Sequence, residues 1–124
     1  MTKEAALQAF FEQFLPSYAA SSVPAEENGT DPYLTYELIT GAWEEGEVGI
    51  TVNLWYYTTS QVPPNKKVRE MSETIGFGGV LVPCDGGAIW IKRGSPWAQS
   101  LTVEGNTNIK GRYLNISAEY LTLN

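Results

Sequence analysis

The strict alternation of residues 47–59 (EVGITVNLWYYTT) constrains this chain more than any other feature. Val48, Ile50, Val52, Leu54 and Tyr56 fall on one side, and Gly49, Thr51, Asn53, Trp55 and Tyr57 on the other. A period of two over so many positions is a half-buried β-strand and cannot be an amphipathic helix. At about 3.3 Å per residue such a strand spans about 43 Å, well beyond the usual five or six residues. Part of it is therefore expected to leave the domain body or to pair with a neighbouring subunit.

Other segments alternate in the same way. Leu34, Tyr36 and Leu38 oppose Thr35, Glu37 and Ile39 in residues 33–40. Over residues 109–122, Leu114, Ile116, Ala118 and Tyr120 oppose Tyr113, Asn115, Ser117, Glu119 and Leu121. Shorter strands are expected at 80–82, 88–93 and 101–103, with Ile89 and Ile91 facing away from Ala88, Trp90 and Lys92. Two segments follow helical spacing instead. Leu7, Phe10, Phe11, Phe14 and Leu15 line one side of a helix over Thr2–Leu15, capped by Thr2 and halted by Pro16. Val68, Met71 and Ile75 do the same for a helix over Lys66–Ile75, with Asn65 as its cap, Val62-Pro63-Pro64 as the preceding break and Gly76 as its stop. Residues 17–32 (SYAASSVPAEENGTDP) read as a long surface connection.

The grouping of helix, two strands, helix and three or more strands predicts an α+β fold, a mainly antiparallel sheet with two helices packed on one face. The 124 residues suit one domain, 1–124, and 43% hydrophobic with 18% charged residues is a globular composition, not a disordered one. No apolar run reaches the roughly 18 residues of a membrane span, and the opening MTKEAALQAFF lacks signal-peptide order. A soluble, cytosolic product without membrane contact is expected.

Composition also excludes chemistry. The chain has no histidine, which removes Ser-His-Asp and Cys-His pairs and HExxH zinc sites. Cys84 is the single cysteine and sits beside Asp85, so no internal disulfide or CxxC metal knuckle exists and an activated thiol is not favoured. GFGG (76–79) follows a helix and lacks the Lys-Ser/Thr of a phosphate loop. Glu44, Glu45 and Glu47 form an exposed acidic turn without the alternating ligands of a calcium loop. The expectation is a non-enzyme with no cofactor and no metal.

Charge and aromatic residues point to contact surfaces. Residues 1–63 carry nine acids against one base, Lys3, a balance of −8 within the total of −6. Residues 64–124 carry seven bases against five acids, a balance of +2. Such halves suit head-to-tail subunits, whereas phosphate gripping needs clustered cations that Lys66, Lys67 and Arg69, followed by Glu70 and Glu73, do not supply. Four Trp, seven Tyr and four Phe make 12% of the chain, and those on a second sheet face need cover, either from subunit contacts or by completing the core of a small monomer; Trp55, Tyr57, Trp90 and Trp97, with Arg93, are the candidate oligomer interface.

The segments PYLTYEL (32–38), VNLWYYT (52–58), VREMSETIG (68–76), LVPCDGGAIWIKRGSPWAQSL (81–101) and RYLNISAEYLT (112–122) together resemble the small tail-terminator or minor capsid (tail completion) proteins of long-tailed bacteriophages. The resemblance spans nearly the whole chain, and its motifs are structural. It implies a structural virion assembly protein: a homo-oligomeric, hexameric ring that caps the tail tube and joins it to the head connector. Tail tube protein and head-tail connector proteins would be its partners. The ring would be assembled in the host cytoplasm and carried in the tail or neck of the virion. DNA would pass without specific binding, with Glu44, Glu45 and Glu47 facing the lumen. A neck or head-closure adaptor of similar fold, and a small carbohydrate- or ligand-binding module using exposed Trp and Tyr, are the alternative expectations.

Overall fold

The computed structural model describes residues 1–19, 32–38, 46–101 and 109–122. Its elements are α1 (Lys3–Glu12), β1 (Ser17–Ala19), β2 (Tyr33–Leu38), β3 (Glu47–Tyr57), α2 (Val62–Ile75), β4 (Val80–Cys84), β5 (Gly87–Leu101) and β6 (Ile109–Thr122). The strands form one six-stranded sheet in the order β1-β2-β3-β6-β5-β4. The fold is α+β and mostly sheet. β1 runs parallel to β2 while the other four pairings are antiparallel, so the sheet is mixed and not wholly antiparallel.

In α1 the Thr2 hydroxyl accepts from the Ala5 N–H at 3.1 Å, as a helix cap should. The helix ends earlier than its apolar spacing predicts. The N–H groups of Phe14 and Leu15 both turn back to the Phe11 carbonyl, which keeps both side chains buried beyond the last regular turn. The chain then enters β1, three residues that the sequence reading assigned to a connection. Polar anchors replace an apolar signal here. Gln8 Nε2 donates to the Ser17 carbonyl at 2.6 Å, and Ser17 N–H donates to the Glu12 carboxylate at 3.2 Å. The Ser17 hydroxyl, itself buried, donates to the Leu15 carbonyl at 2.7 Å. Residues 20–31, the rest of that expected connection, lie outside the described residues.

β3 alternates as its sequence requires, with Val48, Ile50, Val52, Leu54 and Tyr56 buried. Its length is absorbed within the chain, contrary to the expected overhang. All of it pairs with β6, from Glu47 opposite Glu119 to Tyr57 opposite Ile109, while Ile50–Trp55 also pair with β2. β3 and β6 are therefore central strands, and the sheet edges are β1 and β4.

α2 starts at Val62, four residues before its expected start. Pro63 and Pro64 occupy the first turn, where a helix needs no donor, instead of ending the preceding structure. Asn65 is thus inside the helix and does not cap it. Gly76, at φ 76°, stops it as predicted. β5 carries the expected 88–93 strand on to Leu101, and residues 102–103 of the next expected strand lie outside the described residues. GSPW lies within it, at an irregularity between Arg93 and Ala98. There Asn115 Nδ2 donates to the Pro96 carbonyl at 2.8 Å, and a Cβ on Gly94 would stand 2.9 Å from Asn115, so only glycine fits that close crossing.

One apolar cluster forms the core. It joins Leu7, Phe10 and Phe11 of α1, Met71 and Ile75 of α2, and strand residues including Leu34, Ile50, Leu54, Ile89, Ile91, Leu114 and Ile116. Phe10 meets both Phe11 and Phe14 edge to face at 5.5 Å. Among the described residues no helix is long and apolar enough to cross a membrane.

Candidate interaction surface

Residues directly opposite in a sheet point to the same side, so the register defines a second face away from the core cluster. Across it run Tyr33, Thr35 and Glu37 of β2; Glu47, Asn53, Trp55 and Tyr57 of β3; Tyr113, Asn115 and Ser117 of β6; Trp90 and Lys92 of β5; and Leu81 of β4. These side chains are half-buried or exposed. Trp55 lies near Tyr33 and Tyr57 at one end of the strands. Trp90 shares a row with Glu119 and Glu47 at the other end.

At that second end Lys92 forms an ion pair with Glu47, and its ammonium lies 4.1 Å from the centre of the Trp90 ring. Ser117 Oγ donates to Glu47 at 2.8 Å. The Glu47 carboxyl is held below the usual carboxylate range, first by the hydrogen bond from Lys92 and then by that from Ser117. Trp90 Nε1 donates to the Gly78 carbonyl at 2.9 Å. This close approach needs Gly79, which sits at φ 90° and whose Cβ would fall 2.5 Å from Trp90 Nε1. GFGG is therefore a helix stop followed by a tight entry into β4, with Phe77 turned wholly to solvent, 100% exposed.

Beside it opens a cleft of about 510 Å³ lined by Phe77, Gly78, Trp90, Lys92, Arg93, Gly94 and Trp97. β4 reaches along β5 only to Ile91, and the cleft lies beyond that point. Arg93 pairs with Ile116, on the core side of the sheet, and donates from Nη1 to Ser72 Oγ of α2 at 2.8 Å. Trp97 packs against the core cluster, and its buried Nε1 has no acceptor among the described residues. The lining can grip an apolar or planar group between rings and hold an acceptor or anion at Arg93.

The five candidate interface residues thus do not form one patch. Trp90, Arg93 and Trp97 meet around the cleft, and Trp55 and Tyr57 stand apart on the open face. Phe77 and Lys92 belong with the cleft although the sequence reading did not include them. Of the three candidate lumen acids, Glu47 is engaged by Lys92 and Ser117, and Glu44 and Glu45 lie outside the described residues.

A further residue was missed. Arg112 is only 6% exposed, on the core side of β6. Its Nε and Nη2 donate to Asn65 Oδ1 at 3.1 and 2.8 Å, Nη2 also to Gln61 Oε1, and Nη1 to the Gly111 carbonyl at 2.8 Å. Every one of these acceptors is neutral, and burial lowers the Arg112 pKa. The guanidinium fastens β6 to the start of α2 beside a smaller cleft of about 190 Å³. An arginine at an apolar-phase position of an alternating strand was the available signal. Tyr56, another core-side group, is pushed up to about 12, by burial first and by the nearby Glu70 charge second.

Among the described residues, no group of three or more His, Cys, Asp or Glu side chains could hold a metal ion. The fold and surface together define a small α+β protein with a mixed sheet, an aromatic face away from the core cluster and a cleft near one sheet edge. No protein-family model matches the chain, and no curated protein matches it.

Proposed function

We propose that the chain is a structural virion assembly protein of the tail-terminator kind, a subunit of a hexameric ring that caps the tail tube and meets the head connector. The observation that carries this reading is the row of aromatic side chains on the sheet face away from the core cluster. Trp55, Tyr57, Trp90 and Tyr113 stand half-buried on the face away from the core cluster, to which residues of both helices contribute. A surface of this composition is what subunit contacts bury. In this reading the ring acts by contact and not by catalysis. Its net charge of −6 per subunit keeps passing DNA from sticking, with Glu44 and Glu45 toward the lumen and Glu47 held by Lys92 and Ser117.

The test is tube growth. Tail tubes polymerised from their tube protein should stop and carry a ring at one end when this chain is added, and a neck or head-closure adaptor would bind the connector while tubes kept growing. Tubes that grow unchecked, with no ring bound, overturn the terminator role. The cleft favours a second reading, a carbohydrate- or ligand-binding module, which tryptophan fluorescence responding to added sugar would support.

A further inference from the structure

β5 is three times as long as the edge strand beside it. β4 pairs with Gly87–Ile91, and from Lys92 to Leu101 β5 has β6 on one side and no strand on the other among the described residues. An unpaired strand edge presents a row of backbone N–H and C=O groups that an extended chain can satisfy. Two clefts follow one another along it. The larger takes its β5 lining from Trp90 to Trp97, and the smaller from Ala98 to Ser100, with Asn65 and Val68 of α2 as its other wall.

All three arginines of the chain stand along this groove. Arg93 lines the larger cleft and Arg112 the smaller. Arg69 lies on the same side of α2, four residues after Asn65 and three before Ser72, which accepts from Arg93. None of the three has a carboxylate partner among the described residues, and no aspartate or glutamate lines either cleft. Four of the five Arg112 N–H groups donate, all to neutral oxygens, so its buried charge has no counter-charge there. A chain of net charge −6 thus keeps its arginines unneutralised along one groove.

We propose that this groove binds an extended acidic segment of a partner protein, which adds to the free edge of β5 and presents carboxylates to Arg93 and Arg112. The register sets their spacing. Arg93 stands opposite Ile116, four residues along β6 from Arg112, a distance of about 13 Å at 3.3 Å per residue. Two acids four residues apart in an extended peptide span the same distance and point to the same side. Arginine pairs with carboxylates bidentately, and Phe77, Trp90 and Trp97 offer rings to an apolar residue beside the first acid. A single flexible segment suits this edge better than the sheet edge of a second copy, because the irregularity after Arg93 and Pro96, which has no N–H, interrupt the row of pairing groups. Nucleic acid suits it less, since the net charge of −6 repels a polyphosphate. The proposal does not depend on the ring.

Selection from random displayed peptides of about ten residues, long enough to span the groove, tests this on the full chain. Enriched peptides should carry Asp or Glu four residues apart beside an apolar residue. Labelled with fluorescein, the best of them should gain anisotropy when titrated with the parent, less so as salt is added. Arg93→Glu should weaken binding about tenfold or more, and Arg69→Glu by a smaller factor. Both side chains are exposed and outside the core cluster, so both variants should melt like the parent. A peptide with lysines in place of its two acids should bind the Arg93→Glu variant more tightly than the parent. N-methylation of its backbone should weaken binding, as strand addition requires. Selection without acidic enrichment, peptides that bind Arg93→Glu as they bind the parent, N-methylated peptides that bind undiminished, or a labelled oligothymidylate that binds more tightly than any selected peptide overturns the proposal. A parent that associates with itself and loses that association on Arg93→Glu would make a second copy the occupant, which overturns it as well.

Discussion

Replacing Phe11 by Ala is expected to lower the unfolding free energy by about 3–5 kcal/mol, the usual cost of emptying a buried phenylalanine site. Phe11 is fully buried, with 0% exposure. Its ring meets Phe10 edge to face at 5.5 Å and lies 4.8 Å from the Tyr36 ring of β2, so it joins α1 to the sheet. The cavity would open between a short helix and a strand that themselves bring few other aromatic contacts. For a protein whose total stability is of the order of 5–15 kcal/mol, such a loss is large. The urea midpoint should fall while the slope of the transition stays as in the parent. A loss below about 1 kcal/mol would mean that α1 does not pack on this face.

Arg112→Ala should cost about 1–3 kcal/mol, by removing the hydrogen bonds of a buried side chain and opening space beneath α2. Asn65 Oδ1 and Gln61 Oε1 would both lose their donor. Arg112→Met should cost less, because it fills the space and also removes the burden of a desolvated charge. The arrangement predicts strong coupling to Asn65. In a double-mutant cycle, Arg112→Ala and Asn65→Ala should together cost less than the two losses added, by more than about 0.5 kcal/mol. Additive losses would show that the guanidinium does not fasten β6 to α2.

Both of these residues show what could be read in advance. Phe11 follows directly from helical spacing, and the faces of β3 and β6 follow from alternation, because burying one face of a sheet leaves no other arrangement of period two. The sheet's mixed character did not follow. β1 is held by Gln8, Glu12 and Ser17 through hydrogen bonds between side chain and backbone, which leave no periodic trace in Ser17-Tyr18-Ala19. Pro63 and Pro64 were read as a break, yet proline is also at home in a first helical turn, and only the tertiary position of α2 decides between the two. Strand order depends on long-range pairing, so the central placement of β3 and β6 was hidden, and with it the identity of the edges.

The candidate site was legible in part for the same reason. Parity assigns Trp90 and Lys92 to the open face, and the register bears this out. Parity fails past Arg93: unbroken alternation puts Ala98 with Trp90 and Lys92, and the irregularity around GSPW brings it instead opposite Leu114, on the side of the core cluster. Phe77 was invisible because the glycines around it announce a turn and say nothing about where the one bulky side chain within it points. Its complete exposure emerges only when Gly76 stops α2 and Gly79 crowds against Trp90.

The proposed ring requires the chain to assemble with its own copies. Light scattering behind size exclusion, on the full chain at rising concentration, tests it most directly. A hexameric ring should run as a closed species near 82 kDa, six subunits of 13.7 kDa, that does not grow further as concentration rises. A mass that stays at 13.7 kDa at every concentration would contradict it.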